Sequence, residues 1–475
     1  MASIHKANSS KFEGNIAVLC YKVKPGFGLS KEEFTYLKNQ FEVNSKKTVV
    51  FNRLSHQLFF FLTDSKTDKS LRYESIRKMG NELCGMLAGQ KSDSVLLVDE
   101  TGEKDNALSF AEGLALGTYQ FLYHRKNAEK EKNSLAKILL YSLRVNDKDI
   151  KDLNAVVEAT KLARDLVNQP VNVLNAEGLA DAFQKMGKQA GFKVEVFSKQ
   201  KIESLKMGGL LAVNKGSVDP PTFTVMEYKP SGAKNKKPFV LVGKGLVYDT
   251  GGLSLKPTPN SMDSMKCDMA GGAAVGCALF AIAKAKLPVH VIALIPSTDN
   301  RPGFNAFAPG DIITMHDGST VEMLNSDAEG RMILADALSY AKKYEPRLVM
   351  EFSTLTGAAA AAIGPNGIVV MGNADEKVKG KLKISGNKVH ERLAELPFWD
   401  DYDDLLKSDI ADMKNIGGPV AGAITAGRFL VKFTNYPYMH FDIAGPAFIN
   451  SRDSYRTKGG TGVGVRLLFD FFKSV

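Results

Sequence analysis

The chain has 475 residues, of which 44% are hydrophobic and 24% charged, a composition that is typical of globular proteins and excludes disordered and collagen-like classes. Because this length exceeds what one ordinary hydrophobic core supports, we expect two domains. The net charge of +10 is divided evenly between residues 1–150 and the remainder, which argues against one strongly basic region for nucleic acid.

The amino-terminal residues MASIHKANSSKFEGN lack the basic start and apolar run of a secretory signal, so we expect a cytoplasmic protein. We also find no stretch of about eighteen consecutive apolar residues, the pattern that predicts a membrane-spanning helix. The cysteines show neither CxxC nor paired-ligand spacing, so we expect free thiols and no thiolate zinc site. They are Cys20, Cys84, Cys267 and Cys277.

Residues 1–160 are predicted to form the smaller, amino-terminal α/β domain. The apolar runs KKTVVFNRL, QLFFFLTD, SVLLVDE and AKILLYSL predict strands, and YESIRKMGNELCGMLAG and FAEGLALGTYQFLYH have helical spacing. This region contains no glycine fingerprint or metal-type cluster. The sequence therefore predicts no chemistry for this domain.

A helical segment from Asn154 ends at Pro170, and we place the domain boundary near residue 160. Residues 161–475 then alternate between strands such as KPFVLVGKGLVYD, VHVIALIPS and RLVMEFSTL and helices such as EGRMILADALSYAKKY. This alternation predicts an α/β fold, with a mixed sheet covered by helices in the larger domain.

Three segments that leave predicted strands or begin helices carry charged side chains. Active sites of open α/β sheets gather at the ends of strands, so these segments are candidates for a shared site. VGKGLVYDTGGLSLKP contains Lys244, Asp249 and Lys256, MKCDMAGGAAVG contains Asp268, and NSDAEGR contains Asp327, Glu329 and Arg331.

Each segment also has a purely structural interpretation. The glycines fit neither GxGxxG nor the P-loop spacing, and they can serve turns alone. Asp268 can be a helix N-cap, and Ser326 to Glu329 matches a capping box in which Glu329 returns to a backbone N–H. Residues 249–329 contain nine acidic residues, including Asp249 and Glu329, and spacing alone does not choose among them.

The segments VGKGLVYDTGGLSLKP, MKCDMAGGAA, NSDAEGR and STLTGA occur in an order that resembles the leucine aminopeptidase, or cytosol aminopeptidase, family. The resemblance covers residues 160–475 and is weak before residue 150. It implies an exopeptidase with two divalent metal ions, zinc or manganese with cobalt as a further possibility. The implied metal ligands are Lys244, Asp249, Asp268, Asp327 and Glu329.

In the family's arrangement, one ion binds the lysine, Asp249, Asp268 and Glu329, and the other binds Asp249, Asp327 and Glu329. The resemblance also implies that Lys256 stabilises the oxyanion and that Arg331 holds a bicarbonate ion acting as general base.

The resemblance further implies a pocket for the first side chain, a preference for leucine and other apolar residues, and a homohexamer. The pocket residues implied are Met265, Thr354, Leu355, Gly357 and Ala444. Departures from the family pattern are small and remove no ligand: Ser326 stands where threonine is usual, Ser353 where alanine is common, and Asp299 where glutamate often stands.

Other function classes are disfavoured by missing motifs. The histidines form no HExxH and no G-x-S-x-G elbow occurs, so neither a zincin nor a serine hydrolase is indicated. A two-metal phosphatase would need several arginines to bind phosphate beside the metals, and the motifs contain only Arg331.

The alternative to a purely enzymatic function is an accessory DNA-binding regulatory role, because the chain is basic. Its short basic runs near Lys236 and Lys379 are better explained as solvated loops.

Overall fold

The computed structural model describes residues 2–475, and the chain divides into two compact units. The first unit extends to Val157 and includes Lys388–His390 and Ser451–Thr457. The second unit comprises Glu158–Asn387, Glu391–Asn450 and Lys458–Val475.

The first unit contains a six-stranded sheet in the order β1-β6-β5-β2-β4-β3. Its strands are β1 (Ser3–Lys6), β2 (Ile16–Cys20), β3 (Thr48–Asn52), β4 (Gln57–Leu62), β5 (Ser94–Asp99) and β6 (Lys137–Tyr141). All neighbouring pairs are parallel except β3 with β4. The helices are α1 (Lys31–Glu42), α2 (Lys69–Gly89), α3 (Lys104–Gly117), α4 (Ala128–Glu131) and α5 (Asp147–Asn168), the last of which continues into the second unit.

The predicted helix FAEGLALGTYQFLYH ends earlier than its spacing indicates. Helix α3 stops at Gly117, and residues 118–124 are not helical. Thr118 is the C-cap residue, and its hydroxyl donates a hydrogen bond to the carbonyl of Ala115 at 2.8 Å. A side chain that satisfies a terminal carbonyl in this way favours the end of a helix over its continuation.

The second unit is built on a nine-stranded mixed sheet, as predicted. The strands of this unit are β7 (Lys193–Phe197), β8 (Thr222–Tyr228), β9 (Phe239–Gly243), β10 (Gly245–Asp249), β11 (Val291–Asn300), β12 (Asp311–Thr314), β13 (Thr320–Met323), β14 (Leu348–Ser353), β15 (Ile368–Gly372), β16 (Leu393–Glu395), β17 (Met413–Lys414), β18 (Tyr438–Asp442), β19 (Phe448–Ile449) and β20 (Gly459–Gly460). The large sheet has the order β16-β15-β18-β14-β9-β11-β8-β7, with β10 paired to β11.

Helices cover this sheet, and two small sheets accompany it. The helices are α6 (Ala176–Ala190), α7 (Lys199–Ser204), α8 (Gly208–Asn214), α9 (Ala270–Lys284), α10 (Gly330–Ala341), α11 (Gly357–Ile363), α12 (Glu376–Val389), α13 (Gly422–Val431) and α14 (Val465–Lys473). The small sheets are β12-β13-β17 and β19-β20. The α/β fold class predicted from the sequence is confirmed.

The centre of the large sheet consists of parallel strands. Strands β18, β14, β9 and β11 are neighbours that run in one direction, so their carboxyl ends lie at the same edge. The strand conformation is interrupted at Lys244, so the predicted strand KPFVLVGKGLVYD forms two strands, β9 and β10. The side chains that follow these strands meet at this edge of the sheet.

Helix α9 and the 3₁₀ helix before it, Met262–Met269, form the most apolar helical segment of the unit. Met262–Lys284 is long and apolar enough to cross a membrane, but 89% of its most apolar stretch is buried inside the protein. A β-carbon at Gly271 would collide with the carbonyl oxygen of Phe352 on β14. The small residues of MAGGAA therefore let α9 approach the sheet closely.

Candidate metal centre

The charged residues singled out from the sequence lie at the carboxyl edge of the parallel strands. Lys244 directly follows β9, Asp249 ends β10, and Asp268 lies in the 3₁₀ helix Met262–Met269 before α9. Glu329 immediately precedes α10. Residues that are up to 85 positions apart in the chain are thus brought into one cluster.

Lys244 occupies the space between two buried carboxylates. Its Nζ lies 2.7 Å from Oδ2 of Asp268 and 3.0 Å from Oε1 of Glu329. It also donates a hydrogen bond to the carbonyl of Thr354 at 3.3 Å. All three charged side chains are buried. The ammonium group supplies the positive charge that these carboxylates require in a site shielded from water.

Lys256 makes a second bridge of the same kind. Its Nζ lies 2.9 Å from Oδ2 of Asp249 and also contacts Oδ1 of Asp327. The side chains of Lys256 and Asp327 are partly exposed, whereas Asp249 is buried. Each lysine therefore stands between two carboxylates, where a divalent cation would satisfy the same charges.

Burial and neighbouring charge shift the pKa values of this cluster in opposite directions. Burial alone lowers the pKa of Lys244, but the surrounding carboxylates, led by Asp268 and Glu329, outweigh it and raise the pKa above its ordinary value. The same balance, led by Asp249, raises the pKa of Lys256. The neighbouring carboxylates therefore favour the charged form of both amines.

The carboxyl groups respond mainly to burial. Burial raises the pKa of Glu329 to about 8, and the negative charge of Asp249 adds to this effect. Burial also raises the pKa of Asp268 and of Asp327. Burial therefore disfavours the charged form of these acids, and a bound cation would stabilise that form.

The donor set fits a divalent metal ion. One carboxylate oxygen each from Asp249, Asp268 and Glu329 lies within 4.8 Å of the others, and all three residues are buried. Within residues 2–475, Oε2 of Glu329 is buried and accepts no hydrogen bond. Asp327 lies outside this group of three and reaches the cluster through Lys256. Oxygen-rich ligation with one amine nitrogen suits zinc, manganese or cobalt.

The two capping interpretations do not describe these residues. Helix α10 begins at Gly330 with Glu329 as its N-cap, and in the described chain that side chain makes no cap hydrogen bond. The N-cap of α9 is Met269, not Asp268. Instead, Oδ1 of Asp268 accepts a hydrogen bond from the hydroxyl of Thr354 at 2.7 Å. The side chains of Asp268 and Glu329 are therefore directed into the cluster.

Arg331 lies in the first turn of α10 and is buried. Its Nη1 donates a hydrogen bond to the carbonyl of Asn415 at 2.6 Å, and in the described part of the chain its Nε has no partner. Burial lowers the pKa of Arg331 to about 10, against the opposing charges of Glu329 and Asp442. A buried guanidinium with a free N–H group can bind a small anion.

Of the residues predicted to line the pocket for the first side chain of the substrate, three form hydrogen bonds with acidic residues at the edge of the sheet. Asp442 accepts hydrogen bonds from the backbone N–H groups of Leu355 at 3.2 Å and Ala444 at 3.1 Å. Thr354 contacts Asp268, as described above. Met265 lies three positions before Asp268 in the 3₁₀ helix. Gly357 is exposed at the start of α11, with open space where a side chain would project.

Three polar residues of this region were not identified from the sequence. Asp442 connects the ends of β14 and β18, and Asn300 and Asn415 hydrogen bond to the loops that carry the charged cluster. Asn300 directly follows Asp299, at which the stretch STDNRPG departs from the family pattern. The sequence comparison that singled out Asp299 therefore stopped one residue before Asn300. Asn415, in MKNIGG, has no local signal.

Comparison with known proteins places residues 161–469 in a known family. These residues match the catalytic domain of the cytosol aminopeptidase family. A protein of Chlorobaculum tepidum named "Probable cytosol aminopeptidase" is 52% identical over 314 residues. That match covers 66% of this chain, and the chain spans 62% of the length of the relative.

Solved structures resemble the whole chain. A bottromycin maturation enzyme, BotP, described in complex with Mn, is 27% identical with a TM-score of 0.86, and the match covers 98% of this chain and 99% of that chain. A mutant of tomato leucine aminopeptidase also has a TM-score of 0.86, over 100% of this chain and 97% of that chain. Its 24% identity supports the shared fold alone.

Proposed function

The chain belongs to the cytosol aminopeptidase family, and we propose that it is a metal-dependent aminopeptidase that hydrolyses the amino-terminal residue from peptides in the cytoplasm. The observation that carries this proposal is the cluster in which Lys244 and Lys256 each stand between two carboxylates, three of which are buried. We assign catalysis to residues 161–475 and propose a homohexamer as the working assembly.

We propose that the cluster holds two divalent ions, zinc or manganese, with cobalt as a further candidate. Lys244, Asp249, Asp268 and Glu329 would hold one ion, and Asp249, Asp327 and Glu329 the other. When bound, such ions supply a water of lowered pKa and polarise the substrate carbonyl. Lys244 must be a neutral amine to serve as a ligand, so metal binding and its proton compete for the same nitrogen.

The chain's own cations provide the remaining catalytic groups. Lys256 is partly exposed and is held by Asp249, so its ammonium is positioned to stabilise the oxyanion that develops on the substrate carbonyl. Arg331 is buried, and its Nε is free to bind a bicarbonate ion that accepts a proton from the attacking water. The carbonyl of Asn415 holds the other side of that guanidinium in place.

We propose that the first residue of the peptide is selected by an uncharged pocket. Its lining would be Met265, Thr354, Leu355, Gly357 and Ala444. Burying an unpaired carboxylate or ammonium there would be costly, so leucine and methionine should be released well and aspartate poorly. The advantage of leucine over alanine should be smaller than its advantage over aspartate, since each missing methylene in an apolar pocket is worth only about 1–3 kcal/mol.

The experiment that tests the activity is hydrolysis of a chromogenic leucine anilide, measured with added Mn²⁺ or Zn²⁺ and again after a chelator has removed the metal. We expect release of the chromophore with metal, none after chelation, and recovery when metal is restored. Full turnover by the metal-free protein would refute the proposed reaction. Comparing kcat/KM for Leu, Met, Phe, Ala and Asp substrates then tests the pocket, which would be assigned wrongly if Asp were released faster than Leu.

A further inference from the structure

Asn300 is a fully buried asparagine at the end of β11, beside the strand that carries Asp249. Strands β10 and β11 are parallel, and Asn300 pairs with Asp249 in their register. A register shift between Leu246 and Tyr248 precedes this pair. The two side chains are therefore adjacent because of strand pairing, although they lie 51 positions apart in the chain.

Both hydrogen atoms of the Asn300 amide form hydrogen bonds, one to the end of β10 and one to the loop that carries Asp327 and Glu329. Nδ2 donates to Oδ1 of Asp249 at 2.9 Å and to the carbonyl of Ser326 at 2.9 Å. Oδ1 of Asp249 also accepts the backbone N–H of Gly251 at 2.7 Å. A side-chain amide offers two donors, so this group is fully committed to the carboxylate and to the loop that carries Asp327 and Glu329.

The loop that follows β10 is also connected to the loop of Asp327 and Glu329 by hydrogen bonds that do not involve Asn300. The backbone N–H of Ser254 donates to the hydroxyl of Ser326 at 2.7 Å, and that of Ser326 donates to the hydroxyl of Ser254 at 3.2 Å. The hydroxyl of Ser326 donates in turn to the carbonyl of Gly251 at 2.7 Å. These bonds hold the loops together without Asn300, so the contributions specific to Asn300 are its hydrogen bonds to the carboxylate of Asp249 and to the carbonyl of Ser326.

We propose that Asn300 is a positioning residue for the metal centre, which orients the Asp249 carboxylate and sets its distance from the loop of Asp327 and Glu329. The inference rests on the proposed function, because it concerns a carboxylate that both ions would share. Residues that hydrogen bond to metal ligands orient them, and removing such partners costs about 10- to 100-fold in metal affinity or activity.

An asparagine suits this position better than an aspartate. Asn300 donates to a carboxylate inside the protein, whereas an aspartate of the same shape would place a second negative charge against Asp249 and remove both donors. The substitution Asn300→Asp therefore changes the chemistry of the contact with little change in volume. It removes the donors without opening a cavity, whereas Asn300→Ala removes them without adding a charge, so the two variants complement each other.

The test measures binding of Mn²⁺ alone by isothermal titration calorimetry, together with the thermal unfolding midpoint of the metal-free protein. We expect Asn300→Asp and Asn300→Ala to weaken Mn²⁺ binding by about 10- to 100-fold. Asn214→Asp is the matched control, because Asn214 is also buried and donates two hydrogen bonds, to the carbonyl of Asp219 and the hydroxyl of Thr298. The control should bind Mn²⁺ as the wild-type protein does.

Unchanged Mn²⁺ affinity in both Asn300 variants would overturn the inference, as would an equal loss in the Asn214 control. Failure of both Asn300 variants to fold while the control folds would show a purely structural role and would also overturn it. If the wild-type protein itself binds no Mn²⁺, Zn²⁺ or Co²⁺, the proposed function fails instead. The two failures are therefore distinguishable.

Discussion

The cluster at the carboxyl edge of the sheet combines two lysines with four acidic side chains. Three of the acids, Asp249, Asp268 and Glu329, are buried with their oxygens close together, an arrangement that is costly without compensating positive charge. Lys244 and Lys256 provide part of that charge. Single substitutions in this cluster should therefore separate metal binding from catalysis.

Glu329→Gln should abolish metal binding and nearly all peptidase activity, because Glu329 would contact both ions and an amide is a much weaker ligand for a hard cation. Metal content measured by atomic absorption and leucine anilide hydrolysis check this. Asp317→Asn is the control, because it removes a carboxylate of the same unit that pairs with Lys342 and lies outside the cluster. A Glu329→Gln protein that retains both metals would contradict the assignment.

Lys256→Ala should retain its metals but lose about 10²- to 10³-fold in kcat, the loss expected when one oxyanion-stabilising group is removed. Steady-state kinetics and metal content, measured on the same preparation, separate the two effects. Lys284→Ala provides a control, since that lysine pairs with Glu158 on the surface of the unit. Turnover equal to that of the wild-type protein would refute the catalytic role of Lys256.

Metal affinity should rise with pH from mildly acidic to mildly alkaline conditions. The carboxylates raise the pKa of Lys244, and burial raises the pKa of Glu329 to about 8, so protons compete with the metal at both groups. Binding must then release protons, and it becomes more favourable as the proton concentration falls. Calorimetric titration with Mn²⁺ in buffers of different ionisation enthalpy measures this release; pH-independent affinity without proton release would contradict it.

At the scale of elements, the site depends on how closely helices approach the strands that carry it. Gly271 and Gly272 in α9 lie against Phe352 of β14 and the backbone at Lys244. Gly330, the first residue of α10, lies against the side chain of Lys244, where a β-carbon would have to displace that amine. Glycine at these positions therefore places the helices, and with them Asp268 and Glu329, within reach of Lys244.

Gly271→Ala should destabilise the protein by about 1–3 kcal/mol, because the new methyl group would overlap a backbone carbonyl that cannot rotate away. Gly85→Ala in α2 is the control. That glycine is exposed within the helix and has open space at its β-carbon, so alanine there should be neutral or stabilising by about 0.5–1 kcal/mol. Urea denaturation measures both changes; equal effects of the two substitutions would refute the packing argument.

At the scale of the whole molecule, the sequence offered only weak support for an assembly. The stretch GPVAGAITAGRFLVKF is largely apolar, but Phe429 and Leu430 of α13 lie in the core of the second unit. The basic run near Lys379 is also partly neutralised, because Lys379 and Lys383 form ion pairs with Glu395. Neither feature marks a surface for nucleic acid or for a second copy of the chain.

The homohexamer stays a prediction that follows from the family. Static light scattering after size-exclusion chromatography should give a mass about six times that of the chain, which is 51.7 kDa. A concentration series distinguishes a stable hexamer from a weak one, since a weak assembly dissociates on dilution. A monomer at working concentration would reject the hexamer and would leave the metal centre as an independent question.

Local patterns in the sequence predicted the α/β fold class, the mixed sheet and the position of Asp249 at a strand end. Hydrophobic periodicity and the residues that end helices and strands are local features of the sequence, so they can be recognised before the fold is known. The end of α3 at Gly117 was missed, because a single hydroxyl cap ends a helix whose apolar spacing continues.

Only the tertiary structure brings Asp249, Asp268 and Glu329 together from among nine acidic residues, which spacing alone could not separate. The family resemblance had named these three residues as ligands, but it could not show the two lysine bridges, the hydrogen bonds of Asn300 or the contact between Arg331 and Asn415. Such contacts join residues far apart in the chain. They depend on strand order and helix packing, which local sequence patterns do not specify.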